Sequence, residues 1–167
     1  MKAILSADSN WGIGFKGRLL ERIPEDMKFF KQTTLGKVVV MGRETFDSLP
    51  GRQPLKDRIN IVLSRHGQFE DDRLIICRSM TELFLELEKY PADIFVIGGE
   101  SVYMQLLPYC SEVYITKFNK AHEADRHFSN LDLDEDWTPE VIDESLSFND
   151  LEYSRVKYVN NKIVQFT

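Results

Sequence analysis

Short apolar runs alternate with segments of helical periodicity along most of the chain. The runs are rich in valine and isoleucine, and the strands that they predict are Lys2–Ala7, Lys37–Met41, Ile59–Ser64, Leu74–Cys77, Ile94–Ile97 and Val113–Phe118. Two stretches within them, 38–41 and 94–97, contain no polar residue. Parallel strands covered on both faces have this pattern, so we expect both stretches at the centre of a sheet.

Four helices are predicted between the strands, at Glu25–Leu35, Arg43–Leu49, Met80–Tyr90 and Ser101–Leu107. Near the C-terminus, Asn160-Asn161 lies between Arg155–Val159 and Lys162–Phe166 and predicts an antiparallel hairpin. The predicted fold class is therefore α/β: a mostly parallel central sheet of about eight strands with an antiparallel C-terminal hairpin, flanked by about four helices. No linker or repeat interrupts the pattern, so we expect one domain over residues 1–167.

Composition narrows the function classes. With 167 residues, 43% of them hydrophobic and 29% charged, the chain can bury its own core. No apolar run approaches the roughly 20 residues that cross a bilayer, and we expect no secretory signal and a cytoplasmic location. A net charge of −6 argues against general affinity for nucleic acid. Cys77 and Cys110 do not have metal-ligand spacing, so no metal site is predicted.

One connection, Asp8–Ile23, is longer than the usual loop of about 4–6 residues. A loop of this length is typically a lid or a binding loop, and the alternative is a plain surface excursion. Large apolar side chains favour the lid, since a loop that faces only water does not need them; they are Trp11, Ile13, Phe15, Leu19 and Leu20.

Glycine follows two of the predicted central strands, in Gly42-Arg43-Glu44-Thr45 and in Gly98-Gly99-Glu100-Ser101. Glycine at a strand–helix junction lets a phosphate approach backbone N–H groups closely, although it is also common in ordinary turns. The G-x-G-x-x-G motif is absent, so a Rossmann fold is not supported.

Arginines follow three strand ends, at Arg43, Arg65 and Arg78. In an open parallel sheet they would gather at the carboxyl edge, where ligands bind, and guanidinium groups there suit a phosphate-rich ligand such as NADP. The alternative is that each arginine is simply solvated surface.

A single carboxylate lies beside an apolar stripe. Asp26 and Phe30 share one face of the first predicted helix, with Met27 alongside. An acid in a first helical turn can simply complement the helix dipole. The large apolar neighbours instead favour a place at a pocket rim, where the carboxylate can bind an amidine-like ring edge bidentately.

From Met1 to about Val159, the chain resembles the dihydrofolate reductase family. The matching motifs, in chain order, are Gly12-Ile13-Gly14, Ile23-Pro24-Glu25-Asp26-Met27-Lys28-Phe29-Phe30-Lys31, Val39-Val40-Met41-Gly42-Arg43-Glu44-Thr45, Arg58-Ile59-Asn60-Ile61-Val62-Leu63-Ser64, Val96-Ile97-Gly98-Gly99-Glu100-Ser101-Val102-Tyr103, Tyr114-Ile115-Thr116 and Asp125-Arg126-His127-Phe128. The resemblance implies reduction of 7,8-dihydrofolate to 5,6,7,8-tetrahydrofolate for one-carbon metabolism. It also implies that hydride passes from nicotinamide C4 of NADPH to pterin C6, while water protonates N5.

The resemblance also assigns roles to residues. Asp26, helped by Thr116, is the implied catalytic acid that binds pterin N3 and the 2-amino group. The implied substrate-binding residues are Leu5, Met27, Phe30, Leu49, Leu55 and Arg58, with Arg58 pairing with the glutamate α-carboxylate. The implied cofactor-binding residues are Ala7, Ile13, Gly14, Gly42, Arg43, Glu44, Thr45, Leu63, Ser64, Arg65, Arg78, Ile97, Gly98, Gly99, Glu100, Ser101, Val102 and Tyr103. A cis peptide is implied between Gly98 and Gly99.

Some positions depart from the family pattern. Leu20-Glu21 stands where many members have Pro-Trp, and Glu21 either faces solvent or adds a second carboxylate near Asp26. Arg126 replaces a usual threonine, so no lid-latching role is carried over to it. We expect His66 and His122 to be solvated, and we expect a monomer. Two alternatives to the reductase stay open: a related NADPH-dependent pteridine or pyrimidine reductase, and a nucleotide-binding module without turnover.

Overall fold

The computed structural model describes residues 1–91 and 93–166. In these residues an eight-stranded sheet is flanked by four α-helices, as predicted, and a separate ladder of two short strands lies beside it. The helices are α1 (Pro24–Thr34), α2 (Arg43–Ser48), α3 (Met80–Leu87) and α4 (Glu100–Leu106). The strands are β1 (Lys2–Ala7), β2 (Gly12–Gly14), β3 (Val38–Gly42), β4 (Ile59–Leu63), β5 (Leu74–Cys77), β6 (Ile94–Gly98), β7 (Glu112–Phe118), β8 (Arg126–His127), β9 (Trp137–Phe148) and β10 (Leu151–Asn160).

The large sheet has the strand order β5-β4-β3-β6-β1-β7-β10-β9. All pairs from β5 to β7 are parallel, and β10 is antiparallel to both β7 and β9. The apolar strands β3 and β6 lie at the centre, which confirms the prediction from their composition. Val38 and Val40 pack into one core cluster and Val39 and Met41 into another, because alternate side chains point to opposite faces of the sheet.

The C-terminal hairpin exists, but its predicted position is wrong. It consists of β9 and β10, and its turn is Asn149-Asp150, where both residues have positive φ, 46° and 65°. Asparagine and aspartate tolerate this backbone conformation, and it suits the two-residue turns that match the twist of a hairpin. Asn160-Asn161 instead ends β10, where the Asn160 side chain donates a hydrogen bond to the Cys110 carbonyl at 2.9 Å.

The segment after β10 is not the predicted strand. Residues 162–166 have no sheet partner, and Val164 N–H donates to the Pro108 carbonyl at 3.0 Å. Phe166 stacks on Phe84 with ring centroids 5.0 Å apart and also meets Tyr109 edge-on. The last residue of the predicted domain, Thr167, lies outside the described residues. The segment therefore contacts α3 and the turn after α4 through one backbone hydrogen bond and the Phe166 ring.

The long connection between β1 and α1 is partly ordered by the small ladder, in which β2 pairs with β8. Trp11 is buried and stacks on Phe128, so its side chain belongs to the core and does not support the prediction of a lid. Ile13, Phe15 and Leu19 line the groove described below. Within the described part of the chain, no helix combines the length and the apolar character needed to cross a bilayer.

Candidate active site

A groove of about 1820 Å³ opens where the parallel strands β1, β3, β4, β5 and β6 end, and α1 forms its opposite wall. Sites at the carboxyl ends of parallel strands are the rule for open α/β sheets. The residues predicted for the site line this groove except for Ala7, which is 1% exposed and lies in the core. We call the part of the groove around Asp26 and Thr116 the acid end, and the part around Arg43, Arg65 and Arg78 the arginine end.

Asp26 occupies the first turn of α1, which begins at Pro24. Its side chain is 18% exposed, and its Oδ1 accepts a hydrogen bond from the Thr116 hydroxyl at 2.5 Å. Thr116 lies in the middle of β7 and is 3% exposed. The parallel sheet thus holds a hydroxyl against the carboxylate from a position 90 residues away in sequence.

Arg155 on β10 is a site residue that the sequence reasoning missed. Its Nη2 lies 3.2 Å from Asp26 Oδ1, and its Nη1 donates to Asp143 Oδ2 at 2.8 Å. The guanidinium carbon lies 3.9 Å from the centroid of the Phe29 ring, a cation–π distance. A signal was present in the sequence, because Leu151, Tyr153 and Arg155 alternate along β10 and place an arginine where an apolar residue is expected.

Apolar side chains from α1 and the segment after α2 wall the acid end. They are Met27, Phe30, Leu49 and Leu55. At the rim, Arg58 is held by hydrogen bonds from Nη1 to the Thr34 hydroxyl at 3.1 Å and from Nε to the Lys56 carbonyl at 2.9 Å. Partial burial lowers the pKa of the Arg58 guanidinium, against the attraction of Asp57. The acid end therefore offers a carboxylate at its base, an apolar wall and a fixed cation at the rim.

Close packing at the strand ends explains the glycines of the groove. A Cβ atom at Gly42 would lie 3.0 Å from Val102 Cγ2, and one at Gly98 would lie 3.2 Å from Thr45 Oγ1. Gly98 also has φ of 128°, which side chains rarely permit. The peptide between Gly98 and Gly99 is cis, which confirms that expectation. A ligand can therefore approach this backbone more closely than a chain with side chains would allow.

The arginine end is assembled around Gly67. Arg78 donates hydrogen bonds from its guanidinium to the carbonyls of Gly67 and Ser64, at 2.8 and 3.2 Å. Arg43 packs over the same glycine, where an added Cβ atom would lie 2.7 Å from its Nη1. Arg65 also lines the groove. All three guanidinium-bearing residues are exposed, so they can meet an anion without first being desolvated.

Glu21 and His122 are paired, an environment that the sequence reasoning did not anticipate. Glu21 Oε1 lies 2.8 Å from His122 Nε2, and His122 N–H donates to Asp8 Oδ2 at 2.7 Å. The His122 side chain is 13% exposed, so its predicted solvation is wrong. Arg126, to which no latching role was assigned, lies 3.6 Å from Glu44 across the groove mouth.

Comparison with known proteins gives a consistent result. A family model described as dihydrofolate reductase matches residues 1–160. The dihydrofolate reductase of Mycobacterium leprae is 38% identical over 159 residues, which cover 93% of this chain and 95% of that protein. A structure of dihydrofolate reductase from Enterococcus faecalis complexed with NADP(H) and RAB-propyl superposes with a TM-score of 0.84 at 29% identity, covering 96% of this chain and 95% of that one.

A longer plant protein also matches. The bifunctional dihydrofolate reductase-thymidylate synthase of Glycine max is 34% identical over 150 residues, which cover 79% of this chain. The match spans only 28% of the length of that relative.

Proposed function

The chain belongs to the dihydrofolate reductase family, and on that premise we propose that it reduces 7,8-dihydrofolate to 5,6,7,8-tetrahydrofolate with NADPH. The observation that carries the proposal is the Asp26 carboxylate, held by Thr116 at the base of an apolar pocket that continues into a groove lined by glycine and arginine. One chain thus brings together a site for a flat heterocycle and a site for a phosphate-bearing ligand.

At the acid end, Asp26 would bind the pterin through N3 and the 2-amino group. Within the described residues, the side-chain donors to this carboxylate are all directed at Oδ1, so Oδ2 is left to accept from an amidine-like edge. Two N–H donors on one ring edge fit a carboxylate bidentately. Met27, Phe30, Leu49, Leu55 and Leu5 would cover the ring and the benzoyl group, and Arg58 would pair with the glutamate α-carboxylate.

The other end of the groove fits NADPH. When bound, NADPH supplies the hydride that passes from nicotinamide C4 to pterin C6. Gly42, Gly98 and Gly99 would admit the dinucleotide close to the backbone, and Arg43, Arg65 and Arg78 would neutralise its phosphates. The remaining groove residues proposed to hold it are Ile13, Gly14, Glu44, Thr45, Leu63, Ser64, Ile97, Glu100, Ser101, Val102 and Tyr103. Ala7 would contribute only from behind, since it lies in the core.

The reaction consumes a proton at pterin N5. We infer that Asp26 acts on the opposite edge of the ring, where it binds the ring and fixes its charge, and that water delivers the proton. The apolar wall around the site keeps bulk water away from the reacting atoms, which strengthens the electrostatic effect of one carboxylate.

One spectrophotometric assay tests the proposal. Loss of NADPH absorbance that depends on 7,8-dihydrofolate is the expected result. NADPH binding without turnover would instead support a nucleotide-binding module, and turnover only with another pteridine or a pyrimidine would support a related reductase. Either outcome contradicts the proposed substrate.

We further propose a monomer that forms one domain over residues 1–167 and works in the cytoplasm without nucleic-acid or membrane partners. One chain lines the whole groove, and Cys77 and Cys110 are free thiols, as is usual in a reducing compartment. Light scattering that gives twice the mass of 19.5 kDa would contradict the monomer.

A further inference from the structure

We propose that Arg155 is a positioning residue for this reaction, and that it fixes the Asp26 carboxylate by binding it and Asp143 at the same time. The inference rests on the proposed function, and it adds a residue that the family resemblance did not assign. Arg155 reaches Asp26 from the antiparallel hairpin, whose described residues do not themselves line the groove.

Sheet register explains why these groups meet. In the ladders, Arg155 lies opposite Thr116 of β7 on one side and opposite Asp143 of β9 on the other. The register of β9 against β10 shifts on both sides of Arg155, so that Arg155 and Val156 are both buried although they are neighbours. This irregularity turns a charged side chain toward α1 without displacing the apolar residues that follow it.

The guanidinium is held on three sides. Its side chain is 8% exposed, and Nη2 and Nη1 bind Asp26 and Asp143 while the Phe29 ring covers its face at 3.9 Å. A guanidinium buried to this extent requires partners, because an unpaired buried charge is strongly destabilising. The rigid, planar fork of arginine lets one side chain bind both carboxylates in fixed directions.

Arg155 and Thr116 both donate to the same oxygen of Asp26. Two donors from two strands leave the carboxylate little freedom to rotate, and both leave Oδ2 to accept from the substrate. We therefore expect Arg155 to lower the KM for dihydrofolate by holding the Asp26 carboxylate in place. The hydrogen bond between Arg155 and Asp26 exists before the substrate binds, so the carboxylate need not be ordered on binding.

Arg155 also sets the charge balance at Asp26. The charged groups around Tyr153 of β10 are Asp26 and Glu25 of α1, Asp143 of β9 and Arg155, while β7 contributes the neutral Thr116. Arg155 is the only cation in this set. Removing it would leave the Asp26 carboxylate beside acidic groups with no cation bound to it, which loosens its position and weakens substrate binding.

The experiment compares wild-type protein with the Arg155→Met, Arg155→Lys and Asp143→Asn variants. For each, kcat and the KM for dihydrofolate are measured between pH 5 and 9, with saturating NADPH. Lys157→Met is the matched control, because Lys157 forms a 3.0 Å ion pair with Glu140 between the same two strands, away from Asp26. The dissociation constant of NADPH is measured by fluorescence for each variant as a readout of the arginine end.

For Arg155→Met we expect the KM to rise about tenfold, which corresponds to one charge-assisted hydrogen bond. Arg155→Lys should restore only part of the KM, because a lysine keeps the charge but not the fork. Asp143→Asn should give a smaller rise in KM, and NADPH affinity should be unchanged throughout.

An active wild-type enzyme whose KM for dihydrofolate is matched by both Arg155 variants would overturn the role of Arg155 alone. A KM that rises equally in Lys157→Met would also overturn it, since the effect would then belong to the hairpin in general. Wild-type protein that oxidises no NADPH with dihydrofolate would overturn the proposed function and this inference together. If Arg155→Met does not fold, the lysine and Asp143→Asn variants carry the test.

Discussion

At the acid end of the groove, Asp26 and Arg155 are largely buried and bound to each other, whereas the three arginines of the arginine end are exposed. Asp26 and Arg155 are 18% and 8% exposed and 3.2 Å apart. At the other end, Arg78 binds the carbonyls of Ser64 and Gly67. The first arrangement fixes the direction of the Asp26 carboxylate, at the cost of desolvating both charges. The second leaves positive charge available to a ligand in a protein whose net charge is −6.

The largest effect is expected from removing the acid. Asp26→Asn should lower kcat/KM at pH 7 by about 10²–10⁴-fold, because the amide cannot accept from both N–H donors of the pterin edge or carry its charge. Activity should recover in part at acid pH, where the substrate is protonated in solution. A stopped-flow or steady-state pH series checks this, and normal rates at pH 7 would contradict the assignment of Asp26.

Removing the exposed charges should change cofactor choice more than catalysis. The triple variant Arg43→Ala, Arg65→Ala, Arg78→Ala should lower the preference for NADPH over NADH by about 10²-fold, since the charge-assisted contacts to the 2′-phosphate disappear. The kcat with saturating NADH should stay close to that of the wild type.

A control for that variant carries the same change in charge away from the groove. Lys56, Lys89 and Lys162 are exposed and do not line the groove, so their triple alanine variant should keep the wild-type cofactor preference. An unchanged NADPH-to-NADH ratio in the arginine variant would show that these residues do not contact the 2′-phosphate.

Salt should affect ligand binding at the two ends of the groove differently in one and the same protein. Raising ionic strength from about 0.1 M to 1 M shortens the screening length from roughly 10 Å to 3 Å, which weakens exposed charge interactions more than buried ones. We expect the Kd of NADPH to rise at least about threefold while the Kd of a 2,4-diaminopyrimidine, a probe that presents only an amidine edge, changes less. Titration calorimetry measures both Kd values. If they depend equally on salt, the charges at the two ends of the groove do not differ in their exposure to solvent.

The smallest effect is expected at the Glu21–His122 pair. Glu21→Ala should lower the free energy of unfolding by about 1 kcal/mol, the contribution of one partly buried hydrogen bond, and should leave the pH–rate profile in place. Chemical denaturation and a pH series check both. Glu123→Ala, at the residue after His122, is the exposed control, and a profile that moves in Glu21→Ala would show that Glu21 couples to Asp26.

The parallel part of the fold was predictable because each strand is a short apolar run, and β3 and β6 contain almost nothing else. The hairpin was harder. Edge strand β9 has mostly exposed residues and no apolar run, so Asn160-Asn161 competed with the true turn at Asn149-Asp150. The β2–β8 ladder was not predictable, since strands of three and two residues carry no periodicity.

Motif spacing located the groove well, because its glycines and arginines follow strand ends that a parallel sheet must bring to one edge. The environments of Arg155 and His122 were not predicted, for a common reason: their partners lie 129 and 101 residues away in sequence, at Asp26 and Glu21. The burial of a charged side chain can be predicted only when the oppositely charged residue that it contacts is known. The arginine's place in the alternation of β10 was the single local hint.

Arg155 and Asp143 are only 12 residues apart and lie on the two arms of one hairpin, whereas Arg155 and Asp26 are separated by 129 residues. The entropic cost of closing a chain loop increases with the length of the loop. We therefore expect the Arg155–Asp143 pair to form more readily than the Arg155–Asp26 pair as the polypeptide folds. The arginine is then expected to meet α1 already paired with Asp143, so that folding need not bury a lone cation.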